Sequence, residues 1–202
     1  MPGKVYIASM NLRGTWAPCP ENTTRVNVTS AQRKNHPFRL AFSPMTPIVN
    51  KYKGFYCFEN YWQSGKRYPD IPAKTITDWW KKQTKGKRRY PDGKNKNVLY
   101  AKFPHINDNL GYIDSRKQVY VPEYYELIKD NSVLIDLKNR LNSGESFTVY
   151  DFDGIRDNNG NPTSAEVNLE LLQDKILDTR TPFGHGYVVA AAILDINPEL
   201  YL

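Results

Sequence analysis

The sequence predicts an α+β fold, a single compact domain in which a mixed sheet is flanked by helices. Three observations carry that expectation. Short runs with the two-residue alternation of strands and segments with helical periodicity follow one another irregularly, without the βαβ rhythm of a doubly wound sheet. A length of 202 residues suits one domain, or one domain with a long insertion. Hydrophobic residues make up 40% and charged ones 24%, proportions that exclude wholesale disorder.

Lys4–Ser9 reads as the first strand and Arg25–Thr29 as the second, with Gly14, Pro18 and Pro20 making Asn11–Asn22 a loop. Ser43-Pro44-Met45-Thr46-Pro47 is barred from a helix interior, because each proline lacks an N–H and disfavours helical geometry in its predecessor. After a turn at Gly54, Cys57–Arg67 reads as a helix on which Phe58, Tyr61 and Trp62 share a face. Asp78–Lys82 suggests a short helix, and Val98–Phe103 a strand. Pro122 opens a helix with Glu123 and Glu126 near its positive end, and Val133–Leu141 forms another that stops at Asn142-Ser143-Gly144. Ser146–Phe152 is the clearest strand and should sit in the central sheet; turn-rich residues Asp153–Pro162 follow it. Glu166–Leu177 is amphipathic and helical, and Tyr187–Ile193 is a near-continuous apolar run.

The net charge of +7 is unevenly placed. Lys81–Arg89 contains six basic residues, and Lys94 and Lys96 follow, so a basic loop or insertion is expected at about 81–97. Such a stretch is either an exposed solvated loop or a surface for phosphates, which makes nucleic acid a possible partner. No zinc finger, basic zipper or RNP pattern accompanies it. Cys19 and Cys57 lack metal-ligand spacing and leave room for at most one disulfide. No apolar signal region follows Met1, and no run approaches the ~18 apolar residues of a membrane span, so the expectation is a cytoplasmic protein with reduced thiols and no membrane partner.

Several motifs lead nowhere. Asp151-Phe152-Asp153-Gly154 has the residues of a phosphatase nucleophile loop but not its context, and reads better as a strand end closed by an Asx turn. A calcium loop laid on Ile155–Glu166 would begin on a side chain without oxygen. His36, His105 and His185 lack ligand spacing, so neither a metal nor another cofactor is expected.

The segment with the strongest chemical content is Gly54–Lys66. On a helix through Cys57–Arg67, Glu59, Gln63 and Lys66 fall at i, i+4 and i+7, and Trp62 stands four residues before Lys66. A carboxylate, an amide, an ammonium and an indole would then line one wall, whereas the ordinary alternative is a charged face of an amphipathic helix. Together with Phe42-Ser43-Pro44 upstream, the series Phe55/Tyr56, Glu59, Tyr61/Trp62, Gln63 and Lys66 resembles the NADAR family of N-glycosidases. That family is related to a riboflavin-pathway glycosidase and to enzymes that remove ADP-ribose from guanine. Asp178 with Phe183-Gly184-His185-Gly186 is similar to the family's acidic residue and glycine turn, and Asn60 stands where the family has histidine.

The resemblance implies a hydrolase that cleaves an N-glycosidic bond in a nucleotide-like or ADP-ribosylated substrate. It assigns Glu59 and Lys66 to catalysis, and Phe42, Ser43, Trp62, Gln63, Asp178, Gly184 and Gly186 to substrate binding. Its substrate would be a phosphorylated riboside or an ADP-ribosyl group, which suits the positive charge; Arg116 or Lys117 could meet a phosphate. The rival readings are a non-catalytic module that holds ADP-ribose or a nucleotide, and a basic nucleic-acid-associated protein acting through Lys81–Arg89.

Overall fold

The structure is a computed structural model and describes residues 1–93 and 96–202. Lys94 and Asn95, within the expected basic stretch, lie outside the described residues. In chain order the elements are β1 (Val5–Ser9), β2 (Thr23–Asn27), α1 (Pro37–Phe42), α2 (Phe58–Ser64), β3 (Lys66–Arg67), α3 (Ala73–Lys81), β4 (Tyr100–Ala101) and α4 (Tyr112–Ser115). These are followed by α5 (Val121–Ile128), α6 (Ser132–Asn142), β5 (Ser146–Asp151), β6 (Ser164–Glu166), α7 (Leu169–Leu177) and α8 (His185–Ile193). The fold is α+β with a mixed sheet, as expected. By contact density the chain separates into two compact units, Met1–Ser43 with Val121–Leu202, and Pro44–Tyr120. The basic stretch expected as an insertion lies inside the second.

The first unit is built on a sheet of order β2-β5-β1-β6. β5 lies between β2 and β1 and runs parallel to both, and β6 is antiparallel to β1. The sequence gives no warning of parallel pairing, because the chain between β2 and β5 holds far more than one crossover helix. Every residue of β5 after Ser146 is buried, and so is every residue of α8, which packs on β1 and β5. That explains the uninterrupted apolar run Tyr187–Ile193: a helix covered all round needs no polar face. The other face of the sheet carries Ala8, Met10, Ala17 and Tyr150 as a cluster. Here the loop Asn11–Asn22 does the covering, with Trp16 5.3 Å from the Tyr150 ring and the Ala17 carbonyl accepting from the Tyr150 hydroxyl at 2.8 Å.

Several boundaries in this unit differ from expectation, three of them by more than fraying or with a clear cause. β2 starts two residues earlier than Arg25, with Thr23 paired to Ser146. α5 begins at Val121 instead of Pro122. Glu166 ends strand β6 instead of starting a helix, since α7 waits for Asn168, whose side chain accepts from Leu171 N–H at 2.8 Å. Helix α1 was not anticipated. It is only six residues long, so no periodicity is visible, and it is capped by His36, whose Nδ1 accepts from Phe38 N–H ahead of Pro37.

The second unit is organised by aromatic rings. Residues 50, 51, 53 and 54 all have positive φ, forming a tight turn whose Gly54 was foreseen. From there the chain enters α2 with Cys57 as its N-cap, and the Pro44 carbonyl takes the Glu59 N–H at 2.9 Å, meeting one of the helix's unpaired donors. Tyr61 packs on Phe103 (5.4 Å between ring centres) and Trp62 on Tyr120 (4.9 Å). α3 begins earlier than Asp78 because Ile76 and Trp80, four apart, are its buried pair. No helix among the described residues is long and apolar enough to cross a membrane.

Candidate functional site

Helix α2 stops at Ser64, so the helix expected over Cys57–Arg67 is too long by one turn. Lys66 and Arg67 form strand β3 against β4: Lys102 N–H donates to Gly65 O at 2.8 Å and Leu99 N–H to Arg67 O at 2.9 Å. Gly65 is where the path changes. A Cβ there would lie 2.3 Å from the Phe103 ring, so only glycine passes. The argument from one helical face therefore holds for Glu59 and Gln63, whose amide donates to the Glu59 carboxylate at 2.8 Å, and fails for Lys66.

Lys66 nonetheless stands beside Trp62. Both line a cavity of about 220 Å³, closed by residues 98–101, 110–112 and Ser115. Tyr100 and Tyr112 add ring surface to its wall, and Val98, Leu99 and Tyr112 are exposed at its rim. Burial pushes the Lys66 ammonium below the ordinary lysine range; the Glu59 carboxylate opposes that shift and the Arg89 guanidinium adds to it. Glu59 is thus within electrostatic reach of the amine, but it is not part of the cavity wall. Cys57, immediately before α2, has its thiol pushed up to about 11 by burial, and both cysteines are free.

The remaining expected site residues, apart from Arg116 and Lys117, belong to the first unit. Phe42 is buried at the end of α1, where its carbonyl accepts from the Tyr124 hydroxyl, and Ser43 caps that helix through its N–H to Arg39 O. Asp178 caps α7 and organises the turn after it. It accepts from Arg180 N–H (2.9 Å), Arg180 Nε (3.0 Å) and the Thr181 hydroxyl (3.0 Å), which together hold its carboxyl far below the usual range. Gly184 and Gly186 begin α8 against Asp151: Cβ atoms there would meet Asp151 at 2.5 Å and 2.6 Å. The Gly186 N–H donates to Asp151 Oδ2 at 2.7 Å, so this helix start is already served by an internal carboxylate. Arg116 is buried and stacks on Tyr112 at 3.9 Å.

Two arrangements escaped the sequence. One Asp151 oxygen closes the local turn by accepting from Phe152 N–H at 2.7 Å, yet the other accepts from Gly186 N–H and lies 3.3 Å from His185 Nδ1. His185 Nε2 faces the Val28 carbonyl at 3.0 Å and must carry its proton toward it. Ser9, paired with Asp151 across the sheet, has a buried hydroxyl without a partner, but the commitment of Nε2 to Val28 leaves no base for it, so this is no hydrolytic triad. The second is Asn60. It is fully buried, accepts from Lys87 N–H at 2.9 Å and donates to Lys85 O at 3.0 Å, so it fastens the basic segment to α2 beside Glu59. The only hint was an amide where the resembled family has an imidazole.

Among the described residues, no group of three or more His, Cys, Asp or Glu is placed to hold a metal ion. Comparison of the chain with family models, curated proteins and solved structures finds no match in any of them. The NADAR resemblance accordingly rests on the quoted residues alone.

Proposed function

We propose that this protein hydrolyses an N-glycosidic bond in a nucleotide-like or ADP-ribosylated substrate, with Glu59 and Lys66 as the reacting groups. The observation that carries the reading is a half-buried lysine in an aromatic-walled cavity, within electrostatic reach of a glutamate one helical turn from the indole. Breaking the bond between C1 and the base nitrogen leaves its electron pair with the base and positive charge on the sugar. Glu59, fixed by Gln63, stabilises that charge and takes a proton from the water that adds to C1. Lys66 gives a proton to the departing base, a transfer helped by the low pKa its burial produces. The cavity takes the base, and Trp62 supplies ring surface for it.

The test is direct. Purified protein is incubated with nucleoside 5′-phosphates and with ADP-ribosylated nucleosides, and free base is followed by chromatography. Release that disappears in Glu59→Gln supports the reading. Saturable binding without release at any pH identifies a binding module instead.

A further inference from the structure

Charge is segregated along this chain. Residues 44–120 hold 16 of the 28 Lys and Arg but only 6 of the 21 Asp and Glu, a formal +10, while the other unit carries −3. Within the second unit Lys81, Lys82, Lys85, Arg88 and Arg89 are exposed. This segment is not a slack loop. Asn60 holds its backbone at two points, Gln83 Nε2 donates to Trp79 O at 2.7 Å, and Lys87 lies over the Trp79 ring at 5.8 Å. Fixing the backbone while leaving the charges outward lowers the entropy lost when a polyanion binds.

No residue of the segment lines the cavity, but its anchor lies on the helix that supplies Trp62. Asn60 is two residues from Trp62, and the charge of Arg89 acts on Lys66. At about 220 Å³ the cavity is smaller than the ~300–1,000 Å³ of sites for drug-sized ligands, so it suits one ring system and not a duplex.

We infer that the second unit binds single-stranded nucleic acid, seating backbone phosphates on the Asn60-anchored segment Lys81–Arg89 and one unstacked base in the Trp62–Lys66 cavity. The inference goes beyond the glycosidase reading, since it requires the strand to be bound whether or not a bond in it is cleaved. Charge supplies the affinity, and the cavity supplies the preference for an unpaired base.

The experiment is fluorescence anisotropy with a labelled oligodeoxynucleotide of about 20 residues, titrated at several salt concentrations. With about five phosphates neutralised, log K should fall with log salt at a slope near −3.5, a loss of about 10²-fold between about 50 and about 200 mM. The exposed-surface variant Lys81→Gln/Lys82→Gln/Lys85→Gln should flatten the slope by about 2 and weaken binding at least about tenfold at low salt. Asn60→Ala should weaken binding with the charges retained, because the segment is released. Absence of binding at low salt, a slope unchanged in the triple variant, or equal affinity for the duplex overturns the inference. So does tighter binding to vesicles of anionic lipid than to the oligonucleotide. The same preparations are assayed on a small phosphorylated riboside: the triple variant should keep full turnover there. Turnover by the wild-type protein without strand binding refutes this inference alone, and strand binding by the wild type without any turnover refutes the glycosidase reading alone.

Discussion

Gly186→Ala adds one methyl group at the first turn of α8, and the surroundings determine its cost. The new Cβ would sit 2.6 Å from Asp151 Cβ, 2.9 Å from its Oδ2 and 3.1 Å from Ile7 Cδ1. Carbon atoms pack at about 3.5–4.0 Å, so roughly 1 Å of movement is required. Asp151 is 1% exposed and Ile7 fully buried, so neither can swing aside. The helix start must move, and with it the 2.7 Å bond from Gly186 N–H to the carboxylate. Overpacking costs about 1–3 kcal/mol and a lost hydrogen bond to a charged group about 1.5–3 kcal/mol. Taken together the loss should be about 3–5 kcal/mol, or a fall in Tm of roughly 6–20 °C for a chain of this size. Thermal unfolding followed by circular dichroism reads it. A Tm within about 1 °C of wild type would refute the packing role and return Gly186 to the substrate site, where its loss should cost activity and not stability.

Two further perturbations test the electrostatics. Lys66→Met should raise stability at neutral pH, because the folded state carries a cost for charging this amine at every pH below its depressed pKa. That gain should shrink as pH rises toward 10.5, where the unfolded chain also loses the proton; an equal loss of stability at both ends of the range would contradict it. Glu145 is held down to about 2 by the Arg140 guanidinium, with the Thr24 hydroxyl assisting. Its contribution is therefore present above about 4.5 and lost as pH falls toward 2, and Glu145→Gln should remove about 1 kcal/mol of the pH dependence of the unfolding free energy measured by urea titration across that window, since both partners are about a third exposed.

Much of this architecture can be read along the sequence, and what cannot shares one cause. β1, β5 and α6 follow from local patterns: Val5–Ile7, the β-branched and aromatic run in Ser146–Phe152, and Leu134, Leu137 and Leu141 in register. Lys66 was misplaced because helical spacing from Glu59 is a local signal, whereas its capture into β3 depends on residues 99–102 and on the Phe103 ring beside Gly65. The parallel pairing of β5 with both β1 and β2 is likewise set by distant partners. In the candidate site Trp62 and Lys66 were legible as neighbours, and Glu59 with Gln63 as a bonded pair. Asn60 was not, since nothing at position 60 announces that its amide will hold the chain at 85 and 87. Gly184 and Gly186 were visible as a turn, but the carboxylate they accommodate comes from another strand.

The measurement that bears most directly on the proposed function is base release by wild type and Glu59→Gln side by side, on phosphorylated and ADP-ribosylated ribosides. The substitution keeps the shape and a partner for the Gln63 amide while removing the charge. Release should fall by about 10²–10³-fold, with Tm within about 2 °C of wild type. Undiminished release from Glu59→Gln would contradict the account, as would a loss of release that merely tracks a loss of fold.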